Sequence, residues 1–381
     1  MKTVDILTMH AVLNYGSYLQ TLATYKFVSN LGFSPLVVDY RYPTQYHLTH
    51  SKNFVIRKNQ APIENKSFYE KVFSKLACWL IRPNLNKKKE KFAAFYHQYV
   101  QMTRPYYTEK ELEKNPPQCD ICVAGSDQIW NPLFIHHDKS FFLAWAPDSC
   151  RKISYASSVA IKEIPNEFIE DFKSALGSFS CISVRENSSF LQDLLHREVK
   201  TVLDPTFLLD KNEWKQYFNP KPLINGDYIL CYILNYSYNP YPYIYRLIEK
   251  VRTKLGLPVV IIDGKPSLIY KGYKVFVNIG PSEFLNLFYN AKFVITTSFH
   301  GTAFAINFNK DFLSVINDTS QNDNRIYSLA ELMGVSGECI VKKNTPLKEL
   351  KIPKIDLNLM NKQLETLRMR SKEYFINALK K

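Results

Sequence analysis

What most constrains this chain is the order in which short apolar runs and longer amphipathic segments recur. VDILTM at 4–9 is followed by the helical pattern YLQTLATYKFVSNLG, which closes on Gly32 as a C-cap, and then by PLVVDY at 35–40. This is a strand–helix–strand unit, and the unbroken apolar run of its second strand fits a parallel strand covered on both faces. CDICVAGSDQIW resumes the pattern. KISYASS (152–158), CISVR (181–185) and VKTVLD (199–204) continue it, separated by the helical runs EFIEDFKSALG and SSFLQDLLHR. After Asp204-Pro205 and a linker with Asn-Pro-Lys-Pro at 219–222, a second cycle runs DYILCYIL, YPYIYRLIEKVRTKLG, LPVVIID, YKVFV, PSEFLNLFYN, AKFVITT, HGTAFAINFN and FLSVI. Alternation of this kind predicts an α/β fold with two sheets in tandem and ligands held between them.

The domain limits read as 1–205, with a helical basic insertion at about 41–116, then 206–345, then a C-terminal helical segment over 346–381. The length agrees, since 381 residues at ~150 per domain make about two domains. Disorder is excluded by the 46% hydrophobic content, which includes 25 Tyr and 25 Phe. Asp5 and His10 interrupt the N-terminal apolar run before a signal-peptide core forms, and no run of about 18 apolar residues occurs, so a cytoplasmic chain is expected. Seven Cys, an odd number scattered along the chain, argue against a secreted disulfide framework. Cys119 and Cys122 form a CxxC, yet no second CxxC or His pair follows at zinc spacing. Both read as buried thiols, and no metal site is expected.

Motifs at the strand ends carry the chemistry. The chain lacks GxGxxG, a P-loop and Asp-x-Asp, which argues against dinucleotide and P-loop nucleotide binding. In VITTSFHGTAFAINF, Ser298, His300, Gly301 and Thr302 open a helix directly after a strand, so free N–H groups, a close backbone approach and a titratable ring converge on an anion site. The plainer alternative is that Ser298 caps the helix and His300 is a satisfied loop histidine. In HAVLNYGSYLQ, the side chains of His10, Asn14, Tyr15 and Gln20 around the Gly16 turn suit a sugar or carboxylate. Those residues can equally form a turn and an N-cap. In AGSDQIWNP, Ser126 and Asp127 leave a buried strand and Trp130 offers a face for stacking on a sugar ring. Arg185 in SVRENSSF is placed to fork onto phosphate or carboxylate, or to pair with Glu186 or Asp204.

Taken together, NYGSYLQTLA, CDICVAGSDQIWNP, ISYASS, SVREN, VLDPTFLL and AKFVITTSFHGTAFAINF resemble the polysaccharide pyruvyl transferase family, over most of residues 1–335. The resemblance implies a GT-B-like pair of Rossmann-like domains, the first on the acceptor side and the second on the donor side. It implies transfer of pyruvate from phosphoenolpyruvate, as co-substrate and with no resident cofactor, to a sugar hydroxyl pair as a ketal. The expected acceptor is a polysaccharide precursor, lipid-linked and of galactose type at positions 4 and 6. Better-studied branches carry R-x-H where this chain has Ser298, so another cation must replace that guanidinium, and Arg325 in NDNRIYSLAELMG is the nearest by sequence. On this reading His300 is the acid or phosphate partner, and Arg185 and Arg325 hold the donor's phosphate and carboxylate. Asp127 orients or deprotonates the acceptor, while Ser298, Gly301 and Thr302 line the donor site. His10, Asn14, Tyr15, Gly16, Gln20, Ser126 and Trp130 line the acceptor site.

Charge adds one partner. The formal net charge is +14, and residues 51–91 hold eleven Lys and Arg against three Glu, a net +8. Within this stretch Phe68, Val72, Phe73, Leu76, Trp79 and Leu80 fall mostly on one helical face, with Lys71, Lys75 and Arg82 toward the other. A basic amphipathic helix of this type, spanning about 66–91, suits an anionic inner-leaflet surface, or else packs on the first domain with a solvated basic side. The rival readings are a nucleotide-sugar glycosyltransferase of the same architecture and a non-catalytic basic protein binding lipid or nucleic acid. Nucleic acid is disfavoured because the cations cluster in the insertion rather than at strand ends.

Overall fold

The structure is a computed structural model describing residues 1–41, 68–135, 138–161, 163–187, 189–235, 238–263, 272–317 and 324–381. Strand β1 (Thr3–Leu7) leads through helix α1 (Tyr15–Asn30) into β2 (Ser34–Val37). Next come the long α2 (Phe68–Tyr99), β3 (Ile121–Ala124), β4 (Arg151–Ser154), α3 (Asn166–Gly177), β5 (Ser183–Val184), α4 (Ser189–Leu195) and β6 (Lys200–Thr201). The second half holds β7 (Ile229–Tyr232), α5 (Tyr243–Leu255), β8 (Val259–Ile262), β9 (Lys274–Phe276), α6 (Pro281–Asn290), β10 (Phe293–Thr296), α7 (Phe299–Asn307), β11 (Asp311–Ile316), α8 (Asn324–Leu332) and β12 (Ile340–Lys342). Helix α9 (Leu357–Lys380) ends the chain.

Two sheets result, with strand orders β2-β1-β3-β4 and β12-β11-β10-β7-β8-β9, and β5 pairs with β6 beside the first. Every pairing among the described residues is parallel, as the helical crossovers require. This is the two-domain, GT-B-like α/β fold expected. The short β12 escaped the sequence reading because its Ile-Val-Lys is too brief to show a period. No described helix is long and apolar enough to cross a membrane.

The two sheets share one core. Val4 and Ile6 of the first and Leu230 and Val294 of the second belong to the same continuous buried cluster, with α1 and α6 between them. Helix α1 is buried on nearly every side, its polar Ser17, Gln20, Thr21 and Thr24 included, because it is covered by both halves. Tyr15 at its start is fully buried, stacks on Phe284 of α6 with centroids 4.5 Å apart, and donates its hydroxyl to Ile279 O at 3.2 Å. Helix α9 returns to the first sheet. Arg368 Nε donates to Phe207 O at 2.8 Å, Tyr374 OH to Ser154 O at 3.1 Å, and Phe375 stacks on Tyr155 at 4.3 Å.

The basic helix is corrected at its C-terminal half. Lys88 is buried, bonds Asp263 of the second half at 2.5 Å and lies 4.4 Å from the Tyr15 ring centroid, while Lys91 pairs with Glu283 of α6. Both cations therefore face the second domain rather than a membrane. The side chains expected on the apolar face, Phe68 to Leu80, lie outside the described residues. The CxxC thiols pack in the core as expected, Cys122 within a buried apolar cluster and Cys119 against it. Pairing of β3 with β4 adds a third thiol, Cys150, which the sequence did not place there.

Candidate active site

The C-terminal ends of β1, β3 and β10 and the N-terminus of α1 converge where the two halves meet, as expected for open parallel sheets. Asp127, in the loop after β3, has a left-handed φ of 74°, a conformation that is strained for a residue with a Cβ. Its Oδ2 accepts from Ser17 Oγ at 2.7 Å, and its Oδ1 accepts from Gln128 N at 2.9 Å and from an Arg185 amino group at 3.1 Å. Arg185's other amino group donates to Asp204 Oδ2 at 2.6 Å. Asp204 Oδ1 in turn accepts from Thr206 N and Oγ1 at 3.0 and 2.8 Å. Phe299, contributed by the second half, covers the guanidinium with its ring centroid 4.5 Å away.

His300 stands at the end of this chain of ion pairs. Its Nε2 lies 3.7 Å from Asp204 Oδ2, beyond hydrogen-bond length, and has no hydrogen-bond partner among the described residues. The imidazole sits directly on Gly16. A Cβ there would stand 2.0 Å from His300 Nδ1, so only glycine lets the second domain bring this ring over the start of α1. Burial opposes ionisation of Asp127, but Arg185 first, then His300, Ser17 and Arg325, outweigh it and hold the carboxyl below its ordinary value. Asp204 is likewise held below its ordinary value: burial again opposes, and His300, Arg185 and the Thr206 N–H prevail.

Arg325 opens α8 beside the same loop. With the Gln128 amide oxygen turned toward it, that oxygen accepts from both Arg325 amino groups at 3.1 and 3.2 Å, and the guanidinium lies 5.9 Å from the Phe299 centroid. A cation thus stands at the site although Ser298 occupies the R-x-H position.

Several expected ligand contacts give way to structural roles. Trp130 is fully buried, stacked on Phe142, with Nε1 donating to Phe141 O at 3.1 Å, so its ring faces core rather than sugar. His10 is buried with its ring nitrogens on Asp39 Oδ1 and Thr8 O at 3.1 and 3.2 Å. Asn14 caps α1 by accepting from Gly16 N and Ser17 N. Tyr15 is an interdomain packing residue. Gln20 Oε1 accepts from Ser126 N at 3.2 Å and its Nε2 donates to Thr8 Oγ1 at 2.8 Å, which fixes the loop carrying Asp127. Ser126 is buried, its hydroxyl on Ala156 O and Asp204.

At the other loop, Ser298 Oγ accepts from Gly301 N at 3.3 Å and Thr302 N donates to Ser298 O at 3.0 Å, so the N–H groups expected for an anion are engaged. Thr302 Oγ1 contacts Ser314 Oγ at 2.7 Å. A Cβ on Gly301 would stand 2.2 Å from Thr296 Oγ1, so side-chain packing by itself requires glycine there. Arg185 has no exposed side-chain surface, so it positions Asp127 and Asp204 and does not present a fork to a donor. Sequence reasoning missed Ser17, Gln128 and Phe299 as site residues, and treated Asp204 only as a possible Arg185 partner. Ser17 adjoins a residue already singled out, and Asp204 heads the quoted VLDPTFLL.

The family model for polysaccharide pyruvyl transferases matches residues 14–319, a span that holds Ser17, Asp127, Arg185, Asp204 and His300. The chain belongs to the polysaccharide pyruvyl transferase family. Arg325 of this pyruvyl transferase family member lies just beyond the matched span. No curated protein matches the chain. Similar solved structures include Arabidopsis thaliana UGT89C1 complexed with UDP-L-rhamnose, at 11% identity, covering 98% of this chain and 94% of that one, with a TM-score of 0.49. The S. aureus MnaA-UDP co-structure gives 11% identity, 98% and 91% coverage and 0.49. E. coli heptosyltransferase WaaC with ADP-2-deoxy-2-fluoro heptose gives 11%, 96% and 99% coverage and 0.41. At such values these likenesses assign no activity to this member of the family.

Proposed function

We propose that this chain transfers pyruvate from phosphoenolpyruvate to two hydroxyls of a saccharide, free or lipid-linked, forming a galactose-type 4,6-ketal. The observation supporting this reading is the run Asp127–Arg185–Asp204–His300 at the domain junction, in which a carboxylate kept ionised by its neighbours shares a site with an imidazole whose Nε2 is unpartnered. The reaction needs an acid, a base and an anion clamp. His300 gives a proton to the methylene carbon of the donor, which leaves the adjacent carbon cationic. Asp127 takes the proton of an acceptor hydroxyl as it attacks that carbon. The bond from that carbon to the phosphate oxygen then breaks, the second hydroxyl adds, and the second released proton leaves with phosphate. Arg325 faces the donor's negative charge.

The test is incubation with phosphoenolpyruvate and a panel of galactosides, reading phosphate release and the mass of the ketal. Asp127→Asn and His300→Gln should each lower turnover by about 10²–10⁴-fold, the range typical of a lost proton carrier, with circular dichroism unchanged. Turnover of a nucleotide sugar in place of phosphoenolpyruvate, or full activity in both variants, would refute the assignment.

A further inference from the structure

At the opposite end of the first sheet, the N-terminal ends of β3 and β4 bring three cysteines together. Cys119 precedes β3, Cys122 lies in it, and Cys150 directly precedes β4. Their sulfurs are 3.0 Å (119–122), 3.2 Å (119–150) and 3.0 Å (122–150) apart. Cys122 and Cys150 are buried and Cys119 is partly exposed. Among the described residues this is the one group whose His, Cys, Asp and Glu atoms are near enough to hold a metal ion.

A fourth group points the same way. Asp5 of β1 is the in-register neighbour of Cys122, and neighbours in register share a face of the sheet. It is 1% exposed, and its Oδ2 has no hydrogen-bond partner among the described residues. Thiols are weak donors, so three of them satisfy a buried carboxylate poorly. A cation on the three sulfurs, with the neighbouring Asp5 carboxylate turned onto it, would satisfy all four groups at once.

We propose that Cys119, Cys122, Cys150 and Asp5 form a structural site for a thiophilic divalent metal of the zinc type. Three thiolates at ~2.3 Å and one carboxylate oxygen at ~2.0–2.2 Å make the closed four-ligand set of a structural site. In such a tetrahedron the sulfurs stand about 3.8 Å apart, so each pair must spread by about 0.6–0.8 Å. A disulfide would instead need one pair to close to about 2.05 Å and would leave the third thiol and Asp5 unsatisfied. The ion ties β1, β3 and β4 together at the sheet end away from Asp127, so its role is to staple the first domain and not to take part in catalysis. Binding releases the thiol protons to solvent.

The test is elemental analysis of protein purified under reducing conditions with no metal-affinity step, followed by cobalt substitution. About one zinc per chain is expected, and a thiolate-to-cobalt charge-transfer band on reconstitution, as for a three-thiolate site. Cys150→Ser and Asp5→Asn should each lower the bound metal at least tenfold, whereas Cys231→Ser, a buried thiol in the second sheet, should leave it unchanged. Should the fully buried ligands not tolerate change, Cys119→Ser at the partly exposed position supplies the same comparison in folded protein. The proposal is overturned by reduced, folded wild type that neither contains metal nor gives the cobalt band. It is equally overturned by a disulfide between two of the three cysteines in protein alkylated at lysis, or by metal content independent of all three variants.

Discussion

At the scale of single residues, the site is decided by contacts that leave no room. Gly16→Ala in a helix ordinarily gains ~0.5–1 kcal/mol, but here the added methyl meets the His300 ring, and overpacking costs typically ~1–3 kcal/mol. The clash outweighs the propensity. We expect the melting temperature to fall and turnover to drop together, and a more stable, fully active G16A would contradict the packing of His300 on α1. Asp39 gives a pH-dependent outcome. Burial works against its charge, yet His10 and Arg41 bring its carboxyl down to about 2. A depressed folded-state value contributes stability that is complete above the unfolded value of ~3.9 and disappears as pH falls toward 2. Between pH 6 and pH 3, denaturant titrations should therefore show wild type losing of order 1–2 kcal/mol more than Asp39→Asn. Parallel losses in the two proteins would show that Asp39 is not paired as described.

At the scale of elements, helix α2 does what its charge alone did not announce. Its cations at 88 and 91 lock it to the second domain. Burial pushes the Asp263 carboxyl up more strongly than Lys88 beside it pulls it down. Lys88→Met should destabilise by roughly 2 kcal/mol, less than the 3–5 of a fully buried pair because the Asp263 side chain is 24% exposed. Adding Asp263→Leu should restore most of that loss. A double-mutant cycle with no coupling would place the two residues apart. Helix α1 depends on its start in a simpler way. Asn14→Ala removes the acceptor for two N–H groups and should cost about 1 kcal/mol, measured by equilibrium unfolding. No loss of stability would show that Asn14 is not the cap.

At the scale of the molecule, the two sheets form one folding unit. Val4 and Ile6 and, across α1 and α6, Leu230 and Val294 lie in the same buried cluster, so neither half can unfold without exposing the other's core. Calorimetry should show a single transition with matching calorimetric and van't Hoff enthalpies, and two resolved transitions would refute the shared core. The fold was legible in the sequence because strand and helix periods are local: PSEFLNLFYN is predicted over the same ten residues that form α6. The site was legible only as a set of loops. Asp127, Arg185 and His300 stand out in the sequence as ionisable groups at strand ends, and the fold brings them together, but nothing local says that Arg185 is wholly enclosed, that Trp130 faces inward, or that the Gly301 N–H belongs to Ser298. Those outcomes depend on what packs from segments tens to hundreds of residues away. The same holds for Cys150, which joins the CxxC only because β4 lies beside β3. The sequence by itself determined the alternation of strands and helices, since hydrophobic period acts over a few residues. The tertiary structure alone decided which side chains share a site, because burial and charge pairing are set by distances in space that separation along the chain does not encode.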